Sequence, residues 1–248
     1  MADLASTDAP CDDPGALQVR FASRDGTALA RLQLGSPDDR LAARAVARCF
    51  VEAAQAGMFG GSRHAPWTCR ARLDLQDDRW FVALHDVDFA GASVLMNMVR
   101  ASSPAARWHW IQPPSGSAGA LASPGSQFPG GWPDPPFVVD LDTRDEGSDT
   151  LTVRIVVAHP PSDQEYACIE RCLRSWTDVV AGKGFSPDLL GEPEVAACEG
   201  FEVYALSPFE VEATLRAFDA DEAALHGLFG GLAKVAHEGV RISEVRAW

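Results

Sequence analysis

Positive charge is what this 248-residue chain has least of for its size: 21 Lys and Arg stand against 35 Asp and Glu, a formal net charge of −14. A surface of that sign repels nucleic-acid phosphates and anionic lipid headgroups, so direct nucleic-acid and membrane-surface binding are disfavoured. A basic protein is the natural electrostatic match. Long apolar runs are also missing. Arg or Asp interrupts the apolar strands every few positions, well short of the ~20 residues that span a bilayer. The opening stretch MADLASTDAPCDDPGA has neither a basic n-region nor an apolar h-region, which sets the expectation of a cytoplasmic protein without signal peptide or membrane anchor. In that reducing compartment the six cysteines read as thiols, most of them small core residues.

The motifs that carry catalysis are absent too. Cys168 and Cys172 lie four residues apart, but no second pair completes a tetrahedral metal site, and the six histidines are scattered. VVAGKGF, residues 179–185, lacks the upstream glycine and following hydroxyl of a phosphate loop, and GLFGGLAK falls inside a predicted helix rather than after a strand. There is no nucleophile-elbow serine and no cysteine-protease signature. Asp86 and Asp88 share a strand face and could do acid-base work, although a solvated sheet edge explains them equally well. No catalytic residue, metal ligand or cofactor is assigned.

What the chain does have is internal repetition. Residues 113–136 hold 7 Pro, 5 Gly and 4 Ser in 24 positions, a composition unable to bury a core, and read as a linker or long loop. On either side the same pattern recurs. Residues 1–112 form a first module, with 1–14 expected to be disordered, and residues 137–248 form a second. Each reads β-β-α-β-β-α-β. ALQVRFAS and ALARLQLG flank an Asp25-Gly26 turn, and FVVDLD and TLTVRIVVA flank a charged loop that reads as a hairpin tip.

The helices announce their ends. Ser36 with Pro37, and Ser162 with Glu165 three residues later, are helix starts, and Gly57 and Gly182/Gly184 mark helix ends. Second hairpins turn at Gln76-Asp77-Asp78 and at Ser207-Pro208, before a further helix and a closing strand. This predicts an α+β fold, a sheet covered on one face by two helices in each module, resembling the ferredoxin-like sandwich with one extra N-terminal strand.

Charge is unequally shared between the copies. Residues 1–112 carry 13 acids and 12 bases, whereas 137–248 carry 21 acids and 9 bases. Helix-start acids account for Asp219, Asp221 and Glu222. Two other clusters have no such structural reason: Asp140, Asp142, Asp145, Glu146 and Asp149, and Glu192, Glu194, Glu199 and Glu202. These nine are the candidate partner-binding residues.

An acidic, duplicated α+β chain without catalytic motifs resembles, by type rather than by any signature residue, the immunity proteins that bacteria make against toxins. That resemblance implies a non-catalytic protein that binds a cognate toxin, with a basic nuclease as the best electrostatic fit. The alternative is a small-molecule enzyme with a pocket between the modules, lined by Trp108, His109 and Trp110. A self-associating assembly subunit is a third reading.

Overall fold

The computed structural model describes residues 17–23, 26–34, 36–59, 70–76, 79–85, 89–112, 135–142, 150–185, 200–216 and 222–248. The segment expected to be disordered, most of the linker, the Asp86 and Asp88 pair, and the acids Asp145, Glu146, Asp149, Glu192, Glu194 and Glu199 lie outside the described residues.

The fold is α+β. In the first half β1 (Leu17–Ser23), β2 (Gly26–Gln33), α1 (Pro37–Gln55), β3 (Arg70–Gln76), β4 (Arg79–His85), α2 (Phe89–Ser102) and β5 (Arg107–Gln112) follow one another. The second half runs β6 (Val138–Leu141), β7 (Thr150–Val157), α3 (Asp163–Ala181), β8 (Gly200–Ser207), β9 (Glu210–Arg216), α4 (Glu222–His237) and β10 (Ile242–Ala247). Helix starts follow the sequence signals. Ser36 Oγ accepts the Asp39 N–H, and Ser162 and Glu165 form a reciprocal capping box that satisfies two otherwise orphaned amides.

Two five-stranded sheets result, ordered β3-β4-β1-β2-β5 and β6-β10-β7-β9-β8. Leaving out the first strand of each half gives the same order in both, third-fourth-second-fifth. That first strand is what differs. Ser23 pairs with Gly26, and a connection of two residues holds β1 beside β2, where β1 also runs parallel to β4. The second half departs from the expected hairpin. β6 pairs in parallel with β10, and β10 lies between β6 and β7. The connection from 142 to 150 is too long to impose a tight turn, and a four-residue strand bearing the exposed Asp140 suits a sheet edge, whereas β10 places the buried Val245 and Ala247 in the interior.

Helix α1 packs on β1, β3, β4, α2 and α3, and α3 packs on β8 and α4. The buried side chains form one continuous cluster through both halves. At the junction Phe50 and Phe59 stack with centroids 4.7 Å apart, and Phe59 meets Phe185 of the other half at 6.3 Å. Asn97 Nδ2 donates to the Gly184 carbonyl across the same junction at 3.1 Å.

The helix ends refine the expected caps. Gly57 takes the left-handed φ of +91° that ends α1, but after α3 Gly182 has φ −76° and Lys183 takes the left-handed position at +58°. Gly184 is required by space, since a Cβ there would stand 2.6 Å from Val179 Cγ1 and 2.7 Å from Val94 Cγ1.

Candidate partner-binding face

Strand β7 alternates buried and half-buried positions, so Leu151, Val153, Ile155 and Val157 point into the core and Thr152, Arg154 and Val156 onto the sheet's open face. Its register with β9 sets Arg154 opposite Glu212, and β8 sets Tyr204 opposite Glu212 on the far side. On the other flank Arg246 pairs with Arg154, and Asp140 with Arg246. One row of the open face therefore reads Asp140, Arg246, Arg154, Glu212, Tyr204 across all five strands.

The centre of that row is closely bonded. Arg154 donates from Nε and Nη2 to Glu212 Oε2 at 2.9 and 2.6 Å, and the Tyr204 hydroxyl donates to Glu212 Oε1. Both carboxylate oxygens are thereby satisfied, as a buried charge requires. Burial pushes the Glu212 carboxyl upward, but the bonds from Tyr204 and Arg154 outweigh it and hold the group below the usual carboxylate range. The same bond raises the Tyr204 phenol above its ordinary value. Arg154 also lies over Trp248, 5.0 Å from the ring centroid, and the Thr152 and Trp248 backbones exchange hydrogen bonds that hold Trp248 on the sheet. Arg246 is engaged by Glu244 of its own strand at 2.9 and 2.7 Å.

Large apolar groups are exposed on the same sheet as this polar row. Val138, Tyr204, Leu206, Phe209 and Trp248, all on the second sheet or its β8–β9 turn, make up most of the exposed large apolar side chains of the described residues. Tyr, Trp and Arg beside exposed aliphatics make the side-chain mixture that anchors protein interfaces.

Of the nine candidate residues, three fall in described segments. Asp140 and Glu202 are exposed on opposite edge strands of this sheet, both on its open face. Asp142 follows β6, exposed, its N–H donating to the Ala247 carbonyl at 2.9 Å. Arg154, Glu212, Tyr204 and Trp248 were not singled out by the sequence. Period-two alternation in TLTVRIVV and EVEATLR places Arg154 and Glu212 on a polar face, but the register that joins strands 58 residues apart has no local signature.

The halves also enclose a cleft of about 190 Å³, but not where the enzyme alternative placed it. Its walls are Glu52, Gln55 and Ala56 of α1, Cys168, Arg171, Cys172 and Ser175 of α3, and Lys234, Val235 and Glu238 of α4. Trp108, His109 and Trp110 instead pair with Leu32, Arg31 and Ala30 on the edge strand of the first sheet. The reason is that the halves meet through their helices. Burial drives the Cys172 thiol up to about 12, and burial with Asp178 and Glu52 nearby raises Cys49, so neither is a ready thiolate nucleophile. Among the described residues no cluster of His, Cys, Asp and Glu could hold a metal ion, and no helix is long and apolar enough to cross a membrane. No protein-family model, curated protein or solved structure matches the chain.

Proposed function

We propose that this chain is a non-catalytic protein-binding module, an immunity protein of the bacterial cytoplasm that neutralises a cognate toxin through the acidic second half. The partner is a basic protein, with a nuclease the best electrostatic fit, and neither nucleic acid nor membrane is a direct ligand. The observation that carries the reading is the open face of the second sheet. Tyr204 and Trp248 stand exposed beside the satisfied Arg154–Glu212 pair, Phe209 is exposed at the β8–β9 turn, and Asp140 and Glu202 are exposed on the edge strands. Exposed aromatics on this sheet supply binding energy, and the exposed acids supply steering and rejection of wrong partners. Duplication of a ferredoxin-like unit accounts for the shared third-fourth-second-fifth strand order, and divergence of the first strand then distinguishes the halves.

The test is retention of proteins from the source organism on the immobilised chain at low and high salt, beside the variant Asp140→Lys/Asp142→Lys/Glu202→Lys. A basic protein should be held at low salt, be toxic when expressed alone, be silenced by co-expression of this chain, and associate about 10-fold or more slowly with the variant. Equal retention by both forms would remove the acidic interface.

A further inference from the structure

The shortage of positive charge does not extend to the first sheet. Its five strands hold six arginines and, in Asp74, one acid. Alternation and register settle where they stand. Val19 and Leu32 are buried in the core, so Gln18 and Arg20 of β1 and Arg31 and Gln33 of β2 belong to the face turned away from it. Pairing with β2 brings Arg107 and His109 of β5 onto the same face, opposite Gln33 and Arg31. Arg70, Arg72 and Arg79 take register positions on that face as well.

Arg31 is the centre of this arrangement. Gln18 and His109 lie directly across from it on the two neighbouring strands, and Arg20 and Arg107 occupy diagonal positions, within reach of long side chains. Arg20, Arg107 and His109 are exposed, so the face is open to solvent at all three. Among the described residues the side chains of Arg20, Arg31 and Arg107 make no ion pair and no hydrogen bond. The Nε of Arg31 is, in addition, buried without a partner. Leaving a charged donor buried and unsatisfied is costly, and an anionic acceptor from outside the chain would remove that cost. Asp74 stands in the row of Arg31 but three strands away, roughly 14 Å at the usual strand spacing.

Three guanidinium charges and an imidazole around one position suit an acceptor with more than one charge and more than two oxygens. A carboxylate has one charge and two oxygens, whereas a phosphate group carries up to two charges on three terminal oxygens, and guanidinium forks bind it bidentately. A nucleic-acid strand shares that chemistry, but it would run past the face onto a chain of net charge −14.

We propose that Arg20, Arg31 and Arg107, with His109, form a binding site for a small phosphate-bearing ligand on the open face of the first sheet. The site goes beyond the protein-binding reading and does not depend on it.

Inorganic pyrophosphate is the probe, titrated calorimetrically into the full chain, with succinate and a single strand of about ten nucleotides as comparisons. Pyrophosphate should bind, and succinate should bind about 10-fold or more weakly. Arg31→Met and the exposed pair Arg20→Gln/Arg107→Gln should each lose about 10-fold or more of the pyrophosphate affinity. The Arg31 Nε–H resonance should shift as pyrophosphate is added. Affinity retained by both variants, or an Arg31 resonance that does not move, would put the ligand elsewhere and overturn the site. Equal affinity for succinate would overturn the phosphate chemistry, and tighter binding of the oligonucleotide would overturn the small ligand in favour of a nucleic acid. Absence of pyrophosphate binding would end the proposal, while the charge-reversed triple variant tests the acidic interface separately.

Discussion

Arg154 and Glu212 stand directly opposite each other on neighbouring strands, 58 residues apart in the chain, with two guanidinium nitrogens on one carboxylate oxygen at 2.6 and 2.9 Å. The other oxygen accepts from Tyr204, so the pair is satisfied at a site where Glu212 is only 10% exposed.

That arrangement predicts an acid-sensitive stability. Because the folded carboxyl lies below its ordinary value of 4.5, its contribution is full above that pH and is lost as pH falls through the lower folded value. Glu212→Gln should cost about 1.5–3 kcal/mol at neutral pH. Urea midpoints of both proteins from neutral to acid pH should converge below 4.5. A gap between them that stays constant with pH would mean the charge is not the source.

The end of α3 predicts two adjacent substitutions of opposite sign. Lys183→Gly relieves a left-handed residue that carries a Cβ and should raise stability by about 1 kcal/mol. Gly184→Ala drives a methyl into Val179 and Val94 and should lower it by about 1–3 kcal/mol. Thermal or urea unfolding reads both, and a stabilising Gly184→Ala would contradict the packing described.

Because Phe59 and Phe185 join the halves within one buried cluster, Phe59→Ala should cost about 3–5 kcal/mol. Unfolding of the intact chain, followed by circular dichroism and by tryptophan fluorescence, should give coincident transitions. Two separated transitions would show that the junction does not couple the halves.

The Cys172 thiol, buried and pushed up to about 12, should resist alkylation by iodoacetamide near pH 8 in the native chain and react once the chain is unfolded in urea. Prompt native labelling, mapped by peptide mass spectrometry, would show that the helices open there.

Much of the secondary structure was legible from local chemistry. Ser162 with Glu165 marked a helix start because a capping box lies within one turn. The β3–β4 and β8–β9 hairpins were legible because their turns close over Gln76 to Arg79 and Ser207 to Glu210. Legibility failed where a contact had no local cause. FVVDLD and TLTVRIVVA look like hairpin partners, yet β10, about a hundred residues later in the chain, takes the place between them.

The candidate site divides along the same line. Composition alone determined that the second half is acidic, since net charge is a sum over residues and needs no geometry, whereas the exposure of Asp140 and Glu202 came from the fold. Alternation determined which residues of β7 face outward, since side chains on a strand must alternate. Only the tertiary structure decided that Arg154 meets Glu212 and Tyr204, that Trp248 lies beside them, and that β8 is left at an edge. Those are facts of strand order and register, set by how two sheets bury their apolar faces on four helices rather than by any neighbouring residue.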